Sequence, residues 1–175
     1  MPGRTPSQTV GPFFSDALRW HDGGIVKFAE PAGDRIVIEG RVFDGAGAAV
    51  ADALVETWQL SPTGRACAPA PGDANPHGFG RVNTSADGSF RIETAMPGGS
   101  GVPFLEVTLL ARGLLKALRT RVYLAPLERV RTEPSLAPLS ASPRLATLVA
   151  SAQGGGRYRW DVHLQGEGET VFFGG

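Results

Sequence analysis

The sequence predicts an all-β fold in a single domain. Short stretches in which apolar and polar residues alternate with a period of two recur along the chain, most clearly over residues 35–43 and 54–59. Turn-forming residues separate these stretches, and totals of 24 Gly and 14 Pro in 175 residues are typical of turn-rich β domains. Helical patterns do not alternate with the predicted strands, which argues against a parallel α/β sheet. About six to eight short strands therefore indicate a sandwich or a barrel.

The strands at 35–43 and 54–59 are the centre of this prediction. A glycine-containing turn separates them, so we expect them to pair with each other. Apolar residues occupy both phases of residues 36–38, which is typical of an interior strand covered on both faces. We expect Val55 and Trp58 to anchor the core.

Further strands follow along the chain. Residues 79–83 and 89–94 have the pattern of a hairpin, because an Asp-Gly dipeptide lies between them. Other strand candidates are residues 104–111, 119–124 and 158–164. Residues 143–151 form the only plausible helix. The Pro-, Gly- and Ala-rich stretch 61–77 has no periodic pattern, which is typical of a functional or partner-covered loop.

Residues 1–20 are predicted to form a polar N-terminal arm. Pro6 and Pro12 disfavour a helix there. Phe13 and Phe14 give the arm apolar surface to bury, so we expect it to dock rather than to remain disordered.

Composition excludes several classes of partner. The 17 Lys and Arg residues balance 17 Asp and Glu residues without a basic run, which argues against nucleic acid or an anionic membrane as a partner. The single cysteine, Cys67, excludes an internal disulfide and fits a reducing cytosol. We find no signal peptide and no apolar run of membrane-spanning length. A soluble cytoplasmic protein is expected.

The residues alone do not predict a catalytic site. His21, His77 and His163 share no metal-ligand spacing, and a metal site needs several convergent ligands. Cys67 has no histidine close to it in the sequence, which makes a nucleophilic thiol a poor hypothesis. The Gly-Ala-Gly at 45–47 opens no helix and therefore fails as a dinucleotide-binding motif.

Seven separated segments resemble the intradiol ring-cleaving dioxygenase family, in particular the α subunits of its two-subunit members. They are residues 5–14 (Thr-Pro-Ser-Gln-Thr-Val-Gly-Pro-Phe-Phe), 40–45 (Gly-Arg-Val-Phe-Asp-Gly), 55–59 (Val-Glu-Thr-Trp-Gln), 78–81 (Gly-Phe-Gly-Arg), 109–113 (Leu-Leu-Ala-Arg-Gly), 121–124 (Arg-Val-Tyr-Leu) and 165–173 (Gln-Gly-Glu-Gly-Glu-Thr-Val-Phe-Phe). The resemblance implies a two-sheet, Greek-key-like β-sandwich with long loops and at most one short helix. It also implies that residues 1–20 dock on a partner subunit, and that residues 21–175 are one sandwich domain.

The resemblance further implies that this chain holds no iron. In the catalytic β subunits of the family, two tyrosines and two histidines bind a ferric ion. The matching positions here are Ala66, Ser100, Phe104 and Glu106. Alanine and phenylalanine cannot bind iron, so Fe(3+) is expected to be ligated by the β subunit, and no catalytic residue is expected in this chain.

Four residues match positions that line the β subunit's substrate pocket in the family. Thr9, Gly11 and Pro12 match the arm's Thr-x-Gly-Pro motif, and Arg112 matches an arginine that faces the pocket. The chain departs from the family in shorter segments around residues 69–76 and 97–103, so the pocket wall near Ser100 is not predicted.

The first hypothesis from this resemblance is a non-catalytic α subunit with a β subunit as partner. The complex would cleave 3,4-dihydroxybenzoate with O2 to 3-carboxy-cis,cis-muconate, a step of aromatic catabolism in the β-ketoadipate pathway. A second hypothesis is a stand-alone β-sandwich module that binds a small aromatic acid without catalysis. A third is an enzyme with a relocated metal site at His77 and His163.

Overall fold

The computed structural model describes residues 6–11, 13–29, 33–67 and 77–174. These residues form nine strands and four short helical segments. The strands are β1 (Arg35–Phe43), β2 (Leu54–Trp58), β3 (Phe79–Asn83), β4 (Ser89–Ala95), β5 (Phe104–Leu110), β6 (Leu118–Tyr123), β7 (Ser151–Gly154), β8 (Arg157–Arg159) and β9 (Val162–His163). The helical segments are α1 (Phe14–Ala17), α2 (Leu127–Val130) and two 3-10 helices, Pro134–Leu139 and Pro143–Leu148. No described helix is long and apolar enough to cross a membrane.

The strands form two sheets, which confirms the predicted sandwich. One sheet has the order β4-β1-β8-β7, with β9 also beside β1. In it β1 is antiparallel to β4 and parallel to β8 and β9. The other sheet has the order β3-β2-β5-β6 and is antiparallel throughout.

The main core lies between the two sheets. It contains Ile36, Ile38 and Val42 from β1 and Leu105 and Val107 from β5. Each is buried because alternate residues of a strand point to the same face, and burying such a side chain stabilises the fold by about 1.5–3 kcal/mol. A second apolar cluster joins Tyr123 of β6 to the helical segments after it; it also includes Val130, Leu136, Leu145 and Leu148.

The predicted pairings of β1 with β2 and of β3 with β4 are wrong. β1 pairs with β4 in one sheet, whereas β2 and β3 pair with each other in the other sheet. The Asp-Gly turn exists, with Gly88 N donating to Ser85 O at 2.8 Å, but the chain that passes through it moves from one sheet to the other. A turn sequence specifies a chain reversal, and the burial of both strand faces then decides which strands pair.

The prediction that Trp58 anchors the core is also wrong. Val55 is fully buried as expected, but Trp58 lies on the opposite face of β2 and is 37% exposed. Its odd separation from Val55 in a period-2 strand accounts for this placement. β1 likewise buries one face, because Ile36, Ile38 and Val42 are buried while Val37 is only half-buried. The predicted helix at 143–151 is present as a 3-10 helix, and the structure contains more helical segments than the single one predicted.

Candidate functional site

The structure brings Thr9 and the turn that carries Arg112 into direct contact. Arg112 lies two residues beyond the end of β5. The backbone N–H of the next residue, Gly113, donates to Thr9 Oγ1 at 2.8 Å. Leu114 N donates to Ala111 O at 3.2 Å and closes the turn. The N-terminal arm is therefore attached to the sandwich at the residue that follows Arg112.

Arg112 forms an ion pair within the chain. Its Nε donates to Asp52 Oδ2, and the two side chains are 60% and 27% exposed. The guanidinium carries five N–H donors, so this bond leaves its two terminal nitrogens available for another acceptor. Asp52 belongs to no sequence motif, and the register of β2 and β5 is the signal that identifies it as the partner of Arg112.

Gly11 is exposed, and a Cβ built on it would contact no other atom within 4 Å. Within the described residues of this chain, no contact requires glycine at this position. Gly11 O accepts a hydrogen bond from Phe14 N at 3.2 Å, and Phe13 is 77% exposed. Pro12 lies outside the described residues.

Phe104 and Glu106, the positions that resemble iron ligands of the family, project from β5 on the face opposite to the main core, and Phe104 packs against the second apolar cluster. Arg121 on β6 donates from Nε to Glu106 Oε1 at 2.9 Å, and its Nη2 lies 2.8 Å from the same oxygen in an ion pair. The same guanidinium lies 4.7 Å from the centre of the Phe104 ring. Glu106 is the only carboxylate among the four matched positions, and its neighbours are the Arg121 guanidinium and, next to that, the Phe104 ring.

The loops that carry Ala66 and Ser100 pack against each other. Gly98 N donates to Ser61 O at 3.0 Å. Ser100 and Phe104 line one cleft of about 150 Å3 together with Trp58 and Leu60. Ala66 lines a different cleft, with Cys67 and His77 among its other residues. The four matched positions thus lie in one region of the chain but do not converge on one cavity.

The described part of the chain contains no group of three or more His, Cys, Asp or Glu residues that could hold a metal ion. His163 stacks on Phe43, with 5.1 Å between the ring centres. The structure therefore gives no support to a relocated metal site at His77 and His163. The segment 69–76, part of the unpredicted pocket wall, lies outside the described residues.

Comparison with known proteins agrees with this arrangement. A family model described as "Dioxygenase" matches residues 9–121. The protocatechuate 3,4-dioxygenase alpha chain of Burkholderia cepacia is 36% identical over 190 residues, which cover 97% of this chain and 96% of the relative. The corresponding alpha chain of Pseudomonas putida is 33% identical and covers 97% and 95% of the two chains. This chain therefore belongs to the intradiol ring-cleaving dioxygenase family.

Two other similarities are either shorter or at lower identity. The protocatechuate 3,4-dioxygenase beta chain of Burkholderia cepacia is 39% identical, but over only 97 residues that cover 53% of this chain and 40% of the beta chain. The crystal structure of a 3-chlorocatechol 1,2-dioxygenase from Rhodococcus opacus superposes with a TM-score of 0.61 at 17% identity, covering 91% of this chain and 71% of that one. That structure shares the fold.

Proposed function

We propose that this chain is the non-catalytic α subunit of a protocatechuate 3,4-dioxygenase. The observation that carries this proposal is the similarity to alpha chains over nearly the full length of both proteins, 97% and 96%, beside a beta-chain match of only 53% and 40%. The complete enzyme inserts both atoms of O2 between the hydroxyl-bearing carbons of 3,4-dihydroxybenzoate. The product is 3-carboxy-cis,cis-muconate.

The residues at the four matched positions do not fit an iron site. Phe104 has no donor atom, and Glu106 accepts a hydrogen bond from Arg121 Nε within an ion pair. A cation bound by Glu106 would lie beside the positive charge of Arg121, and none of the other matched positions carries an imidazole or a phenolate to complete the ligand set. Fe(3+) is therefore assigned to the β subunit, and no step of the reaction is attributed to residues of this chain acting on iron.

The contribution of this chain is to the walls of the partner's pocket. Arg112 is proposed to bind the substrate carboxylate, because a guanidinium offers a rigid fork of donors and stays charged at any working pH. Thr9, Gly11 and Pro12 are proposed to line the same pocket from the arm. The hydrogen bond from Gly113 N to Thr9 Oγ1, at 2.8 Å, supports this grouping because it holds the arm beside Arg112.

Residues 1–20 are proposed to dock on the β subunit, while residues 21–175 form the sandwich domain. Support comes from Phe13, whose side chain is 77% exposed in the isolated chain. A large aromatic residue so exposed is typical of an interface residue that is buried in a complex. A cytoplasmic complex is consistent with the single cysteine and balanced charge.

Co-expression with a protocatechuate 3,4-dioxygenase β chain tests the proposal. We expect the two chains to co-purify and to consume O2 with 3,4-dihydroxybenzoate, and we expect neither chain alone to reach the activity of the pair. The matched control is this chain expressed alone and assayed for binding of 3,4-dihydroxybenzoate by calorimetry. Stoichiometric binding without a partner would instead favour the stand-alone module for aromatic acids.

A further inference from the structure

The position of Asp52 follows from strand register. Leu54 on β2 lies opposite Leu110 on β5 in the antiparallel ladder. Asp52 precedes Leu54 by two residues and Arg112 follows Leu110 by two, so two further steps of the same register place Asp52 opposite Arg112. Both residues lie in turns just beyond the last paired residues of the two strands, so the register of β2 and β5 brings these two turns together.

The ion pair also selects which edge of the guanidinium is available. Arg112 uses Nε to contact Asp52 Oδ2, and the following residue is tied to Thr9 through its backbone N–H. With Nε engaged, the edge formed by the two Nη atoms is the fork that remains for a carboxylate. Arg112 is 60% exposed, so without Asp52 little in the described structure would restrict its rotamers.

We propose that Asp52 is a positioning residue that holds the Nη edge of Arg112 toward the substrate carboxylate. This inference rests on the proposed function, in which Arg112 binds that carboxylate. Asp52 acts by ordering the arginine before substrate arrives, so that binding does not have to restrict the side chain. Its negative charge has the opposite effect, since it repels an incoming carboxylate. The two effects predict KM changes of opposite sign when Asp52 is removed.

Steady-state kinetics of the αβ complex decide between these effects. In Asp52→Ala we expect the KM for 3,4-dihydroxybenzoate to rise about fivefold, with kcat changed by less than about twofold, because the lost ordering weakens ground-state and transition-state binding alike. Asp52→Asn keeps an oxygen that accepts from Nε while removing the charge, and its KM should stay within about twofold of wild type. Catechol has no carboxylate, and its constants should not change in either variant.

Two controls separate positioning from a general structural effect. In an Arg112→Leu background, Asp52→Ala should have no further effect on KM, because its action passes through the arginine. Glu169→Ala removes the partner of Arg144 from an ion pair of similar exposure, 53% and 39%, and should leave both substrates unaffected. If Asp52→Ala does not assemble with the β chain, Asp52→Leu removes the acceptor while keeping four side-chain heavy atoms and the branch at Cγ.

The outcomes are distinct. A lower KM in Asp52→Ala, an equal loss for catechol, or a persistent effect in the Arg112→Leu background would overturn the positioning role. If Arg112→Leu is selective for 3,4-dihydroxybenzoate while Asp52→Ala behaves as wild type, only the role of Asp52 fails. If Arg112→Leu itself affects both substrates equally, the proposed role of Arg112 fails and the inference about Asp52 fails with it.

Discussion

Arg112 carries the positive charge of the proposed pocket on a side chain that is more than half exposed. Its exposure means that the chain alone does not bury the guanidinium, so a partner surface and a substrate are free to approach it. A hydrogen bond between charged groups stabilises a complex by about 1.5–3 kcal/mol. The contribution of Arg112 should therefore be measurable as the ratio of kcat/KM between a substrate with a carboxylate and one without.

Substituting Arg112 should produce a selective loss. In the αβ complex, Arg112→Leu should lower kcat/KM for 3,4-dihydroxybenzoate by about ten- to a hundredfold, while catechol turnover stays at its low wild-type level. Arg112→Lys should recover part of the loss, because it restores the charge without the fork. The measurement is kcat/KM for both substrates with wild type, Arg112→Leu and Arg112→Lys. Equal losses for the two substrates would assign Arg112 to structure or to the interface.

Motifs at the residue scale identified Thr9, Gly11 and Arg112 as candidates, and the structure brings two of their segments together through Gly113. Asp52 could not be found in the same way, because it belongs to no motif and lies 60 residues from Arg112 in the sequence. Only the register of two strands makes them neighbours. The pocket roles of these residues remain predictions.

At the scale of elements, strand positions could be predicted from sequence but strand partners could not. The predicted strands at 35–43 and 79–83 coincide with β1 and β3. Period-2 patterns report which residues share a face, and that is a local property. Pairing depends on which apolar faces meet across the core. A turn between two consecutive strands therefore does not show that those strands pair, and here the turns after β1 and β3 lead into the other sheet. The same reasoning placed Trp58 in the core although its phase along β2 points it away from the core.

The N-terminal arm should act on catalysis without acting on the metal. Removal of residues 1–12 is expected to lower kcat/KM of the αβ complex by about tenfold or more, because the proposed pocket loses one wall. Iron content should be unchanged. Thr9→Val deletes only the hydroxyl that accepts the hydrogen bond from Gly113. It should lower kcat/KM less than the truncation does, by a loss of transition-state stabilisation of about 1 kcal/mol. Unchanged kinetics after the truncation would show that the arm serves only as a tether.

Gly40 in β1 is a position where the packing of elements permits no side chain. A Cβ there would lie 1.7 Å from Trp160 O and 2.7 Å from the Phe90 ring. Gly40→Ala should therefore destabilise the sandwich by about 3 kcal/mol or more, since backbone has to move. Gly101→Ala is the matched control, because its nearest contact would be an ordinary 3.6 Å. Thermal unfolding of the complex measures both, and equal melting temperatures would contradict the packing described for β1.

At the scale of the whole molecule, the chain has the fold of an intradiol dioxygenase. The positions that resemble the iron ligands of the family carry residues other than tyrosine and histidine. The Arg121–Glu106 pair and the Phe104 ring beneath it occupy the outer face of the four-stranded sheet. Exposed apolar side chains at Phe13 and Leu115 accompany this change. Such a chain contributes to an active enzyme as part of a larger assembly, and its proposed role depends on a partner that carries the metal.

The most direct test of this account is the location of iron. Metal analysis and visible spectra should be recorded for the chain alone, for the αβ complex, and for a complex in which this chain carries Glu106→Ala. We expect no stoichiometric iron in the lone chain and one ferric ion per αβ pair in both complexes, because Glu106 is bound to Arg121 and takes no part in the metal site. One tightly bound, coloured ferric ion in the lone chain, or loss of iron from the Glu106→Ala complex, would contradict the assignment of this chain as an iron-free α subunit.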